Sequence, residues 1–202
     1  IMAINFSTGE QVRPAGFKKL TQVNLDTGSL TSATVTGIPN DAVVIKVFCQ
    51  RISLEANTGD QIRLRFGAGS LDSGASYTWN NVRTEHSASG TQDAAGSAGD
   101  YNSGTNSYLS IIDDTSTGNA HIYNGVITIE RGTDSGGLDE GGWYTRAQIG
   151  DVRSGDSAAR TYLHVGRWRN TGNINQLQFF NGGEQYDEAA RIIVTYATGD
   201  YT

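Results

Sequence analysis

The chain has 202 residues, a formal net charge of −6 and 37% hydrophobic side chains. That length favours one domain, since all-β sandwiches often run to it as a single unit. The acidic balance, with only 15 Lys and Arg residues, excludes the basic stripe of a nucleic-acid binder. No apolar run approaches the ~20 residues that span a bilayer, so neither nucleic acid nor membrane is expected as a partner.

Glycine is abundant, 26 residues against two Pro, which predicts many tight turns rather than long helices. The lack of a Gly/Pro period excludes collagen. No basic segment followed by an apolar one opens the chain, so no signal peptide is expected. Cys49 is the only cysteine. With no intrachain disulfide the fold must rest on packing and hydrogen bonds, which suits assembly in the cytoplasm. Val47, Phe48 and Ile52 around it predict a buried, inert thiol.

In chain order, residues 1–16 read as a short N-terminal arm, and 17–202 as the folded domain. Strands are predicted over 18–25 and 30–36, split by Asp26-Thr27-Gly28. Residues 42–54 hold the most apolar run, AVVIKVF, bounded by Pro39-Asn40-Asp41 and Asn57-Thr58-Gly59, which favours a core strand. Residues 61–66 alternate, with Ile62, Leu64 and Phe66 on one face and Gln61, Arg63 and Arg65 on the other. Further strands are expected at 77–82 and 108–112. The polar stretch 86–107 between them reads as a long loop, a kind usually functional or disordered. Strands follow at 121–130, 143–149 and 161–168, with a Gly-rich loop at 133–142. Two last strands lie within INQLQFFNGGEQYDEAARIIVTYAT, 174–198. The octet EQYDEAAR, 184–191, contains helix formers but is too short to stand alone and reads as a loop. No 20–50-residue period suggests a solenoid or propeller. About ten short strands and no amphipathic helix predict an all-β, single-domain antiparallel sandwich or barrel.

Chemistry is sparse. His86, His121 and His164 fit neither HExxH nor a zinc-binding Cys/His spacing, and all three read as ordinary sheet-surface histidines. No GxSxG elbow is present, although triads also converge without a signature. The acidic pairs Asp113-Asp114, Asp139-Glu140 and Asp187-Glu188 put adjacent carboxylates on opposite strand faces, ill suited to glycosidic hydrolysis. No DxDxDG calcium loop appears. No catalytic, cofactor-binding or metal residue is therefore assigned. Aromatics lie beside polar loops and at strand ends: Tyr77, Trp79, Tyr101, Tyr108, Trp143, Tyr144 and Trp168. They fill a sandwich core or, where exposed, anchor a protein or sugar. The triplet Arg167-Trp168-Arg169 reads as alternating strand faces.

Three stretches resemble, in this order, small bacteriophage virion proteins with a jelly-roll β-sandwich, of the capsid-decoration or cement, tail-fibre and baseplate types. They are GIPNDAVVIKVFCQRISL (37–54), DQIRLRFGAGSLDSGASYTW (60–79) and the closing 174–198. The chain departs from the pattern at Ala189-Ala190, where Gly-Ser is usual, and at Thr195-Tyr196-Ala197, where Leu-Tyr-Gly is usual. The resemblance implies a non-enzymatic accessory capsid component located in the virion and assembled in the host cytoplasm. It would be a homotrimer meeting partners such as the major capsid protein. The alternative it implies is a tail-fibre or baseplate module that recognises host-surface glycans. If it holds, Arg191–Ala197 closes the sandwich, with Ile192, Val194 and Tyr196 facing the core and Arg191, Ile193 and Thr195 facing out. Tyr101, Tyr108, Trp143, Tyr144, Trp168 and Ile193 are then the candidate interface or ligand contacts.

Overall fold

In the computed structural model the described residues are 16–26, 30–54, 61–86, 92–93, 106–112, 121–132, 142–153, 159–187 and 189–199. The regular elements there are strands: β1 (Lys18–Asn24), β2 (Ser32–Thr36), β3 (Ala42–Ile52), β4 (Ile62–Gly67), β5 (Tyr77–His86), β6 (Gln92–Asp93), β7 (Leu109–Ile112), β8 (His121–Arg131), β9 (Trp143–Arg153), β10 (Ala159–Trp168), β11 (Gln176–Phe180) and β12 (Arg191–Thr198). Among the described residues no helix is long and apolar enough to cross a membrane. The strands form two antiparallel sheets, consistent with a β-sandwich. The larger has the order β1-β12-β3-β8-β9-β10-β5-β6, the smaller β2-β11-β4-β7.

Side-chain alternation decides which face of each strand meets the core. On β4, Ile62, Leu64 and Phe66 are buried while Arg63 and Arg65 turn outward. On β12, Ile192 and Val194 are buried and Tyr196 packs against the core, whereas Arg191 is exposed. The buried side chains form one cluster between the sheets. Ile45, Val47, Ile127, Ile129 and Ile149 come from the large sheet, and Val35, Leu64, Leu177 and Phe179 from the small one. Each such side chain stabilises by about 1.5–3 kcal/mol relative to an exposed one.

The last strand is interior to its sheet. β12 pairs with β1 on one side and β3 on the other, so its backbone donors and acceptors are matched on both edges. β3 and β8 pair until a register shift between Cys49 and Ile52. There Arg51 has a φ of 53°, and its N–H donates to Asn124 Oδ1 at 2.9 Å, a local device that keeps the bulged backbone paired. Beside it, Gly125 approaches β9 closely. A Cβ at this position would lie 2.2 Å from the Gln148 carbonyl oxygen, so the ladder needs a residue without one.

The structure corrects part of the sequence reading at 86–107. β5 runs on to His86, and β6 pairs back on it through Glu85↔Asp93 and His86↔Gln92. Backbone pairing needs no apolar alternation, so the polar sequence gave no sign of it. Residues 87–91 and 94–105 of that loop, the arm 1–16 apart from Gly16, and 133–141 lie outside the described residues. Within 184–191 the described residues are not helical. Tyr186 instead bridges to Leu54.

Candidate interaction surface

The large sheet presents a broad outward face, and its composition departs from that of a solvated sheet. Register pairs run straight across seven strands: Gln22↔Ile193 and Ile193↔Phe48, Phe48↔Val126 and Val126↔Gln148, then Gln148↔Leu163 and Leu163↔Val82. Directly opposed residues of an antiparallel pair share a face with Cβ atoms about 4.5–5.5 Å apart. The row is therefore a belt in which Ile193, Phe48, Val126, Leu163 and Val82 are interrupted only by Gln148. Val165 stands beside it in the next row, opposite Arg146 and Asn80. Every large hydrophobic side chain exposed among the described residues lies on or against this face: Phe17, Phe48, Val82, Leu163 and Val165.

Strand β10 shows why the face is unusual. Its aliphatic side chains point away from the core, with Leu163 48% and Val165 54% exposed, while His164 between them is buried. This corrects the reading of His164 as a sheet-surface histidine. It does face opposite to Leu163 and Val165, as alternation requires, but the buried side is its own. The Asn81 amide donates through Nδ2 to the Ser110 carbonyl at 3.0 Å, which turns Oδ1 toward the imidazole. Nδ1 of His164, 2.7 Å from that oxygen, must then carry the proton. Burial pushes the imidazole pKa down to about 3, so the ring is neutral. The side chains of His86 and His121 lie outside the described part of the molecule.

Charge on the face is one-sided. Lys19, Lys46, Arg146, Arg167 and Arg191 share it, by register, with one carboxylate among the described residues, Glu130, which forms an ion pair with Arg146. Lys46 Nζ lies 4.3 Å from the centroid of the Phe17 ring, and the Arg167 guanidinium 5.5 Å from that of Tyr144. Two shallow open depressions adjoin here, of about 680 and 470 Å³, and share Glu130, Arg146 and Val165 in their walls.

The candidate contact residues that are described fall into three groups. Ile193 and Tyr144 sit on this outward face, half-buried. Tyr108 belongs to the outer side of the small sheet. Its ring lies beneath the Arg63 guanidinium at 4.6 Å and meets Phe180 edge-on at 5.9 Å, and its hydroxyl donates to Gln61 Oε1 at 3.3 Å. Arg65 covers Phe180 at 4.7 Å. Trp143 and Trp168 require correction, being 1% and 0% exposed. They are register partners on the inward face of β9 and β10, and each indole N–H is satisfied inside. Trp143 donates to the Gly172 carbonyl at 2.9 Å and Trp168 to the Asp72 carboxylate at 2.7 Å. Tyr101 lies outside the described residues. Phe48, Val126, Leu163 and Val82, which complete the belt, and Val165 beside it were not singled out in the sequence. The signal available was the pair Leu163 and Val165 flanking a histidine on one strand.

Among the described residues no group of three or more His, Cys, Asp or Glu side chains converges on a point where a metal ion could sit. Compared with known protein families and with curated protein sequences, the chain matches none. What the outward face offers chemically is contact: aliphatic area, two half-covered rings and a fringe of cations.

Proposed function

We propose that the chain is a non-enzymatic structural protein of a bacteriophage particle, an accessory capsid cement or decoration component that works by burying its sheet faces against neighbours. The observation that carries this reading is the apolar belt on the outward face of the eight-stranded sheet. Monomeric proteins rarely expose large contiguous apolar patches, and those that exist mark interaction sites.

Strand order supports the jelly-roll form of the sandwich. With β5, β6, β9 and β10 set aside, eight strands remain, paired as β1 with β12, β2 with β11, β3 with β8 and β4 with β7. These are the nested pairs of one long hairpin, first strand with last and so on inward. Rolled up, that hairpin gives two four-stranded sheets of interleaved order, β1-β12-β3-β8 and β2-β11-β4-β7, which is the jelly-roll plan. The set-aside strands extend one sheet beyond that plan.

Labelled antibody against the protein is expected to coat phage heads in electron micrographs. Labelling confined to the tail tip would favour the second reading, a receptor-binding module for host glycans. The cluster Arg63, Tyr108, Arg65 and Phe180 on the small sheet favours that alternative, because rings and planar guanidiniums suit sugar faces and carboxylates. Under it, binding to immobilised glycans would be lost in Tyr108→Ala.

A further inference from the structure

We infer that the outward face of the eight-stranded sheet is the docking surface for a second copy of this chain, joined head to tail rather than face to face. This rests on the assembly reading above and names its partner.

The apolar content argues for a macromolecular occupant. Phe48, Val82, Leu163 and Val165 are 38%, 43%, 48% and 54% exposed, and with Val126 and Ile193 they form a connected surface through the register pairs. From β1 to β5 there are six inter-strand gaps in the sheet order, about 29 Å at ~4.8 Å each. The outward rows from Tyr144 to Gly150 span about 20 Å at ~3.4 Å per residue. The product, about 600 Å² before side-chain relief, approaches the ~800 Å² per partner of a standard stable interface. Two open depressions in the same face supply the relief that a protruding loop would fill.

Charge selects the partner and the geometry. Five cations against one carboxylate make the face positive, yet the whole chain is −6. The remainder of the chain is therefore more acidic than its total. Of the described carboxylates, Asp26, Asp41, Glu184 and Asp187 sit in loops and not on this face. Two copies meeting face to face would oppose Lys46, Arg146 and Arg167 with their own duplicates, and like charges brought together suppress a pairing. A face set against the acidic loops of the next copy, such as the end that carries Asp26 and Asp187, matches it in sign. Such a heterologous contact leaves one face and one acidic surface unused, so it propagates until a rotation closes it into a ring.

The test is sedimentation of the purified chain at high micromolar concentration, in low and in high salt. A discrete species of three or more copies is expected, at least tenfold weaker in high salt because screening shortens the reach of the charges. Leu163→Glu and Val165→Glu are each expected to give monomers with thermal unfolding unchanged, since both side chains already face solvent. Arg146→Glu is expected to weaken association at least tenfold. Thr34→Glu, exposed on the other sheet, is expected to change nothing. A monomeric wild-type chain overturns the inference, as does one that gathers only on added nucleic acid, while antibody labelling of particles still judges the structural role separately. A dimer as the sole assembled species overturns the head-to-tail geometry. An oligomer indifferent to Leu163→Glu and Val165→Glu overturns the face.

Discussion

Trp168 donates its indole N–H to the carboxylate of Asp72 at 2.7 Å, joining the end of β10 to the turn between β4 and β5. The same turn is held by Tyr77, whose hydroxyl donates to the Asp72 carbonyl at 3.1 Å and accepts from the Phe66 N–H at 3.0 Å. The Tyr77 and Trp168 rings lie nearly parallel, 6.3 Å apart. Trp168→Phe keeps much of the ring volume and removes the donor. A hydrogen bond to a charged group contributes about 1.5–3 kcal/mol, so a loss of about that size is expected in urea unfolding. Burial pushes the Asp72 carboxyl up, but the bonds it accepts from Trp168, Gly74 and Ser76, with Arg65 nearby, together hold it below the ordinary carboxylate value. Its contribution is thus full above an unfolded pKa of about 3.9 and is lost as pH falls through the lower folded value. Unfolding curves of wild type and Trp168→Phe should converge in acid.

His164 sets a second and wider pH window. The unfolded chain takes a proton on this ring below about 6.5, whereas the folded chain does so only near 3. Between those values the unfolded state binds more protons, so stability falls as pH falls, by up to about 1.4 kcal/mol per unit. His164→Gln removes the titration. It is expected to be less stable at neutral pH yet to show a shallower decline between pH 6.5 and 4.5, measured by urea midpoints. An equal slope in both proteins would refute the buried neutral imidazole.

The two faces of β4 should differ sharply in denaturant titration. Leu64 is wholly buried, so Leu64→Ala is expected to cost about 2–5 kcal/mol. Arg63 lies half-buried over the Tyr108 ring on the outer side. Its truncation is expected to cost under about 1 kcal/mol, the scale of an exposed cation–π contact.

Cys49 should be silent in the folded protein. Burial pushes its thiol up to about 12, and the thiolate is the reactive form. A thiol reagent is expected to label the chain only on unfolding, at the rate of global opening measured in parallel by fluorescence. Fast native labelling would place Cys49 outside the core.

The parts of the fold legible in the sequence are those where polarity and geometry agree. On β4, IRLRF (62–66) alternates without exception, and there the buried set is the apolar set. On β12 the expected core residues Ile192 and Val194 are buried, and Ile193 points to the outside. β10 could not be read this way, because ARTYLHVGRW carries apolar side chains on both parities. Its inward face takes Tyr162 and Trp168 together with a histidine, and its outward face takes the aliphatics. Trp143 and Trp168 were candidates for contact because they lie at strand ends. Parity and satisfied indole donors place them inside. The belt was illegible for a different reason. Its apolar members come from five strands and meet only through cross-strand register, a tertiary property that no window of sequence contains.

The insertion of β12 between β1 and β3 has a kinetic consequence. Ile193 bridges Gln22 and Phe48 in the belt, so the belt is incomplete at that end until residues 191–198 have joined residues 18–24 and 42–52. Pairings between segments so distant in sequence form slowly. A nascent chain on the ribosome, with its first strands already made, carries the hydrophobic residues of the belt but not their alignment. Under the head-to-tail contact proposed above, copies made side by side on one message could not form the full contact through this surface until each had placed its last strand. In that proposal, completion of the sandwich is the step that licenses assembly.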